Sequence, residues 1–372
     1  MCAVVDLFCG VGGLTHGFRS EGFDVTAGVD TDEACRHAYE TNNDTQFLRR
    51  DVAAMTAKDL DGLFSGASPR ILVGCAPCQP FSTYSQKNNN PAWQLVASFG
   101  EIVRSNLPDV VSMENVPRLL NFRGGQVFQN FVSGLREVGY HVEWEVAFAP
   151  DYGVPQRRSR LVLFASRLGP LRLEAPTHTP DTYKTVRDTI SYLPAIEAGE
   201  VDSFDQLHRS SGLSEQNMKR IRAATPGGTW RDWDEQLVAA CHRVETGRGY
   251  QSVYGRMHWD EPSPTITTQF YGFGNGRFGH PEQNRALSLR EGALLQSFPD
   301  RYEFVAPGEA IHFSRIGRMI GNAVPVQLAR AIARTVRDPL RQDSCTIYPG
   351  TTKGRNGATQ CPDIPMSAKR LC

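Results

Sequence analysis

Short apolar runs alternate with segments of helical period through the first 165 residues. Val4-Val-Asp-Leu7 is followed by a helical stretch from Leu14 to Phe18. Val25, Ala27 and Val29 alternate as strand residues do and precede a helical segment from Asp32 to Tyr39. A third short strand ends near Asp51. Ile71 to Val73 leads to a helix carrying Leu95, Phe99, Ile102 and Val103, and Val110-Val111 leads to one carrying Val127, Phe128, Phe131, Leu135 and Val138. This repeated strand and helix predicts a parallel sheet covered on both faces. The rhythm changes at Val142, Trp144, Val146 and Phe148, which are succeeded by Leu161 to Phe164 with no helix between them. The expected fold class is therefore α/β, a doubly wound, mostly parallel sheet with one antiparallel strand near an edge.

Beyond residue 170 the pattern gives way to Pro, Gly, Thr and aromatic residues, including Pro226-Gly-Gly-Thr-Trp230 and Phe270-Tyr-Gly-Phe-Gly-Asn-Gly-Arg277. Such a stretch reads as a loop-rich second domain. Helical signals return at Ser288 to Ser297 and Pro325 to Val336, in segments able to pack back on the first domain. We therefore divide the chain into residues 1–176, 177–283, 284–340 and a poorly ordered tail, 341–372, which is short of apolar residues.

Composition narrows the class. The 372 residues are 40 % hydrophobic, enough for a sizeable core. No stretch approaches the roughly 20 apolar residues of a membrane span, and no signal peptide opens the chain, so a cytoplasmic protein without membrane contact is expected. The nine cysteines are scattered and odd in number, which points to reduced thiols. The 40 basic residues balance 40 acidic ones, so any nucleic-acid contact must come from local clusters such as Arg157-Arg-Ser-Arg160.

Candidate chemistry gathers at strand ends. Asp6-Leu-Phe-Cys-Gly-Val-Gly-Gly13 closes the first strand, and its glycines allow the backbone to approach a ligand or simply make a tight turn. Asp30, about 20 residues on, is placed to accept from ribose hydroxyls, and Asp51 from an adenine amino group; either could equally cap a helix. Cys78 follows the strand Arg70 to Gly74, and Glu114 ends the strand begun at Val110, so a thiol and a carboxylate share one sheet edge. Cys75 and Cys78 also match Cys-x-x-Cys, a redox or half-zinc pattern, although no second ligand pair stands at finger spacing.

Taken in order, Phe8-Cys-Gly-Val-Gly-Gly, Ala76-Pro-Cys-Gln-Pro-Phe-Ser82, Glu114-Asn-Val, Gln156-Arg-Arg-Ser-Arg160, Arg290-Glu with Gln296-Ser-Phe-Pro299, and Gly321-Asn-Ala-Val-Pro325 resemble the motif series of the DNA (cytosine-5)-methyltransferases, of bacterial restriction-modification type. The resemblance spans residues 3 to about 336. It implies a Rossmann-like sheet using S-adenosylmethionine and no metal, with residues 177–283 as the target-recognition domain and residues 284–340 completing the catalytic domain.

It also implies roles for single residues. Cys78 adds to carbon 6 of cytosine, and Glu114 stabilises charge at N3. Arg158 and Arg160 contact the target nucleotide's carbonyl oxygen and phosphate. Phe8, Gly10, Gly12, Asp30, Asp51, Asn322 and Val324 line the methyl donor's site; many relatives carry Glu where this chain has Asp30. The target base must leave the duplex, and Thr83 to Pro91 reads as a loop closing over it. Two reading loops, Gly247 to Gln251 and Thr267 to Arg277, would offer Arg248, Gln251, Gln269 and Arg277 to DNA.

The expected partner is double-stranded DNA, bound by a monomer, with a cognate restriction endonuclease as a companion in the cell. Because the first motif begins almost at residue 1, no regulatory N-terminal region is expected. Three other functions compete. A tRNA cytosine methyltransferase would share the machinery, but Cys241 is followed by His242-Arg243 and lacks the Cys-Phe-Thr of close tRNA-acting relatives. A silent cofactor- or DNA-binding protein is opposed by intact Cys78, Glu114, Arg158 and Arg160. A redox or zinc protein would use Cys75 and Cys78.

Overall fold

The structure is a computed structural model that describes residues 2–78, 81 and 91–346, apart from the side chains of 338, 339 and 341–346. Residues 83–90 of the expected base-covering loop, and 347–372 of the expected tail, lie outside the described residues.

Among the described residues seven strands form one sheet: β1 (Ala3–Leu7), β2 (Val25–Asp30), β3 (Gln46–Arg49), β4 (Arg70–Gly74), β5 (Val110–Asn115), β6 (His141–Phe148) and β7 (Ser159–Ser166), in the order β3-β2-β1-β4-β5-β7-β6. Strands β1 to β5 pair in parallel, while β7 is antiparallel to both β5 and β6. The expected antiparallel strand is thus the second from one edge, inserted by a hairpin whose far strand becomes the edge.

Central strands are buried on both faces, and side-chain alternation divides them between two cores. Val5, Leu7, Leu72, Val111 and Met113 face helices α3 (Ala57–Phe64), α4 (Gln94–Asn106) and α5 (Gln126–Glu137), meeting Leu60, Phe64, Phe99, Val103, Phe131 and Leu135. Val4, Val25, Ile71, Val73, Val162 and Phe164 face the other way, onto α1 (Gly13–Ser20) and the last helix, α11 (Val326–Thr346). Helix α2 (Arg36–Asn43) connects β2 to β3. Gly17 of α1 lets the two helices touch, since a Cβ there would sit 2.4 Å from the Cβ of Ala329. Ion pairs from Arg330, Arg334 and Arg337 to Glu21 close the same interface.

The middle of the chain adds no strand to the sheet. Helices α6 (Val186–Ile190), α7 (Glu215–Ala223) and α8 (Ala240–Arg243) are joined by long connections. Ile221, Ala224, Trp230, Trp233, Phe273 and Ala286 make a small separate core. Val186, Ile190, Leu207, Ile266 and Phe270 instead join a core shared with α9 (Leu289–Leu295) and α10 (Phe313–Asn322).

Among the described residues five helices go beyond the reading of the sequence: α3, α10, and α6, α7 and α8 within the stretch expected to be loop-rich. Helix α3 carries a capping box, Thr56 and Asp59, with Leu60 and Phe64 one turn apart. Helix α11 runs to Thr346, six residues into the expected tail. Cysteines 9, 35, 75, 78 and 241 are free. Among the described residues no helix is long and apolar enough to cross a membrane.

Candidate active site

Connections from β1 proceed to one side of the sheet and those from β4 to the other, so their C-terminal ends flank a topological switch point, where open α/β sheets bind ligands. Leu7 pairs with Gly74, which sets residues 8–13 beside residues 75–78. A cavity of about 370 Å³ opens there. Its walls include Phe8, Gly10, Asp30, Asp51, Cys78, Asn322 and Val324. Six of the seven expected cofactor residues therefore surround one space, assembled from both ends of the chain.

Gly12 is the seventh and does not line it. The residue precedes α1 with φ of 86°, and a Cβ would lie 2.5 Å from Nδ2 of Asn43, so a tight turn against α2 demands glycine there. Gly10, with φ of 51°, has nothing within 4 Å of its missing side chain and leaves room for a ligand. Phe8 holds φ of 59°, a left-handed conformation uncommon outside glycine, and packs edge-on against Phe99.

Both aspartates also bond to the backbone. Asp30 accepts from Gly10 N and Asp32 N, each at 2.9 Å, so it braces the glycine turn; burial raises its pKa. Asp51 accepts from Ala53 N at 2.9 Å, capping a short 3-10 turn while facing the cavity. Capping and ligand contact coexist, because a carboxylate has about four acceptor sites.

Asp6 was not singled out from the sequence, yet it is fully buried in the cavity wall. Thr15 donates to its Oδ2 at 2.7 Å, whereas Oδ1 has no partner. Burial lifts its pKa to about 7. A buried carboxyl oxygen without a partner suits a ligand bearing a donor or positive charge, as the methyl donor does.

Cys78 lines the same cavity. Burial raises its pKa, and the Arg160 guanidinium opposes that rise. Glu114 is buried behind it on β5. The thiol of Cys75 donates to Glu114 Oε2 at 2.9 Å, and Arg160 Nε lies 2.8 Å from Oε1. The Arg160 N–H is not aimed along that line, so Oε1 has an ion-pair partner but no hydrogen bond. Strand register explains the grouping: Glu114 sits opposite Val162 on β7, two residues from Arg160.

Arg158 is buried beside this cluster, where its charge acts on Cys78, and it donates to the carbonyl oxygens of Ile266 and Gly321 at 3.0 and 3.2 Å. Burial and the Arg160 charge lower its pKa to about 9, which leaves it cationic at neutral pH.

Of the expected DNA readers, Arg248, Gln251 and Gln269 are exposed. With its amide oxygen turned to Arg231, Gln251 accepts from both terminal nitrogens at 3.1 and 3.2 Å. Arg277 is half-buried and donates to Gly228 O at 2.7 Å, which makes it a strut within this region. Among the described residues no group of three or more His, Cys, Asp or Glu is arranged to hold a metal ion.

A ligand cleft at the switch point, a cysteine beside a buried carboxylate, and a parallel sheet carrying one antiparallel strand define an α/β methyltransferase of the S-adenosylmethionine-dependent fold. The sequence model of the C-5 cytosine-specific DNA methylases matches residues 2–338, and the chain belongs to that family. It is 51 % identical to the Type II methylase M.HgiDII of Herpetosiphon aurantiacus, over 90 % of this chain and 95 % of that one. Type II methyltransferase M1.HphI of Haemophilus parahaemolyticus is 33 % identical, over 89 % and 86 %. Among solved structures, a prophage-encoded Escherichia coli protein described as a DNA modification methyltransferase aligns with a TM-score of 0.71 at 21 % identity, covering 92 % of this chain and all of that one. Spodoptera frugiperda DNMT2 aligns with a TM-score of 0.59 at 17 % identity, covering 90 % and 99 %. These structures establish likeness of fold.

Proposed function

We propose that this DNA cytosine-5 methyltransferase takes S-adenosylmethionine into the switch-point cavity and modifies one cytosine of a specific double-stranded sequence. The observation that carries this reading is the convergence of Cys78 and the Asp6–Asp30–Asn322 wall on one cavity, with Glu114 and Arg160 behind the thiol. Phe8, Asp30, Asp51, Asn322 and Val324 hold the donor, and Gly10 admits it. When bound, the donor supplies an electrophilic methyl group for carbon 5.

Chemistry on the base belongs to the other side of the cavity. The Cys78 thiolate adds to carbon 6 of the extruded cytosine, which makes carbon 5 nucleophilic. Glu114 bonds the ring at N3, where negative charge accumulates, and Arg160 serves the carbonyl oxygen. Once carbon 5 carries the methyl group, its proton passes to water and elimination releases Cys78 as the thiolate. Burial raises the pKa of this thiol and the Arg160 guanidinium opposes that rise, so Arg160 is the neighbour that favours the thiolate.

Residues 177–283 act as the target-recognition domain, with Arg248, Gln251 and Gln269 as reading side chains. Similarity to Type II methylases supports a companion restriction endonuclease specific for the same sequence. A cytoplasmic monomer completes the reading.

The test is incubation with tritiated S-adenosylmethionine and either unmethylated genomic DNA or tRNA, followed by bisulfite sequencing. Label at one recurring short DNA sequence is expected. Label confined to tRNA, or label in neither substrate, refutes the reading.

A further inference from the structure

Gln156 lies outside the cavity, yet it ties three parts of the molecule together. It is fully buried just before β7. Its Nε2 donates to Leu295 O at 3.1 Å and Gln296 Oε1 at 2.9 Å, while its Oε1 accepts from Ile266 N at 2.8 Å. Gln296 in turn donates to Ile320 O at 2.7 Å. Ile266 is therefore gripped through both backbone groups, its N–H by Gln156 and its carbonyl by Arg158. The segment Thr267 to Arg277 begins at the next residue.

Helix α10 supplies the seat for that segment. A Cβ on Gly321 would fall 2.5 Å from the backbone of Thr267 and Thr268, and one on Gly317 would fall 2.5 Å from the Tyr271 ring. Gly292 on α9 likewise faces the Phe270 ring, at 2.1 Å from an added Cβ. Residues Arg318, Met319 and Asn322 of the same helix α10 line the cavity. One helix thus has the reading segment on one side and the ligand cleft on the other.

We propose that Gln156 is a positioning residue for sequence discrimination: it fixes the Thr267 to Arg277 segment in register with Cys78, so that turnover follows correct reading. This rests on the DNA-methylating function above. Paired amides are suited to the task because each donor and acceptor specifies direction, which apolar packing does not. In Gln156→Leu the volume is kept and the register is released, leaving Ile266 N–H without its side-chain partner.

The experiment measures kcat/KM on the cognate duplex and on duplexes with one base pair changed, for the wild type, Gln156→Leu and Gly317→Ala. The glycine variant displaces the segment from the opposite side without touching the amide pair, and it decides the matter should Gln156→Leu fail to fold. We expect the cognate-to-noncognate ratio to fall at least tenfold in each folded variant. An unchanged ratio, including a uniform loss of turnover on every duplex, overturns the proposal. A wild-type protein inactive on all DNA overturns the function on which it rests; an active wild type with unaltered discrimination in the variants overturns this inference alone.

Discussion

The thiol of Cys75 donates a hydrogen bond to Oε2 of Glu114 at 2.9 Å, and the partner that sequence alone would make a redox mate for Cys78 is instead a brace for the carboxylate. A neutral donor to a carboxylate contributes about 1.5–3 kcal/mol at most. Cys75→Ala should therefore retain measurable methylation, reduced roughly tenfold, whereas Glu114→Gln should lose far more turnover than DNA affinity. Single-turnover rates and gel-shift titration separate the two; complete inactivity of a folded Cys75→Ala would return the redox reading to contention.

Cys78→Ala should bind S-adenosylhomocysteine as the wild type does and make no 5-methylcytosine. A second test concerns its neighbour. Burial dominates the raised thiol pKa and Arg160 opposes it, so Arg160→Met should slow alkylation of Cys78 by iodoacetamide at pH 7 and shift the rate profile to higher pH. Alkylation unaltered by that substitution would contradict the charge argument.

Asp6 gives a pH signature. Its pKa stands at about 7 in the fold against 3.8 ordinarily, so the folded state holds a proton that the unfolded state has released. Stability from this group is full below pH 4 and is lost as pH rises through 7. A ligand with a positive charge near Oδ1 favours the ionised form, so its affinity should rise from pH 6 to pH 8. Calorimetric titration with S-adenosylhomocysteine should show that rise in the wild type and a flat profile in Asp6→Asn.

Glu291 has the opposite sign. Burial alone would raise its pKa, but the two-pronged contact with Arg285, 2.7 Å at each oxygen, carries it down to about 2. The stabilisation is present above pH 4.5 and disappears as pH falls toward 2. His280, kept near pKa 4 mainly by burial, adds a loss between pH 6.5 and 4. Glu291→Gln should cost about 3 kcal/mol by denaturant melts at pH 7, because it strands a buried guanidinium.

Much of the sheet was legible because strand and helix periods differ and β1, β4 and the start of β5 are short apolar runs. Helix α10 was hidden: Phe313 to Asn322 mixes Arg, Ser and Gly, and Gly317 and Gly321 face the Thr267 to Tyr271 segment and not the sheet. The site divides the same way. Cys78, Glu114 and Asp30 could be placed from strand ends, since topology alone delivers them to one edge. The backbone partners of Arg158 could not, because Ile266 and Gly321 lie more than 100 residues away. The packing of Gly12 against Asn43 and the bond from Arg277 to Gly228 were hidden for a related reason: a glycine needed for packing, or an arginine used as a strut, has the same letter as one that meets a ligand.

The grip between α1 and α11 has an evolutionary consequence. Since the first and last helices are fastened to each other through Gly17, Ala329 and the Glu21 arginines, the sheet closes whatever loops out between β7 and α9. Changes of length in the exposed connections of that stretch leave the sheet packed against its first and last helices, and so can accumulate along a lineage without loosening the scaffold.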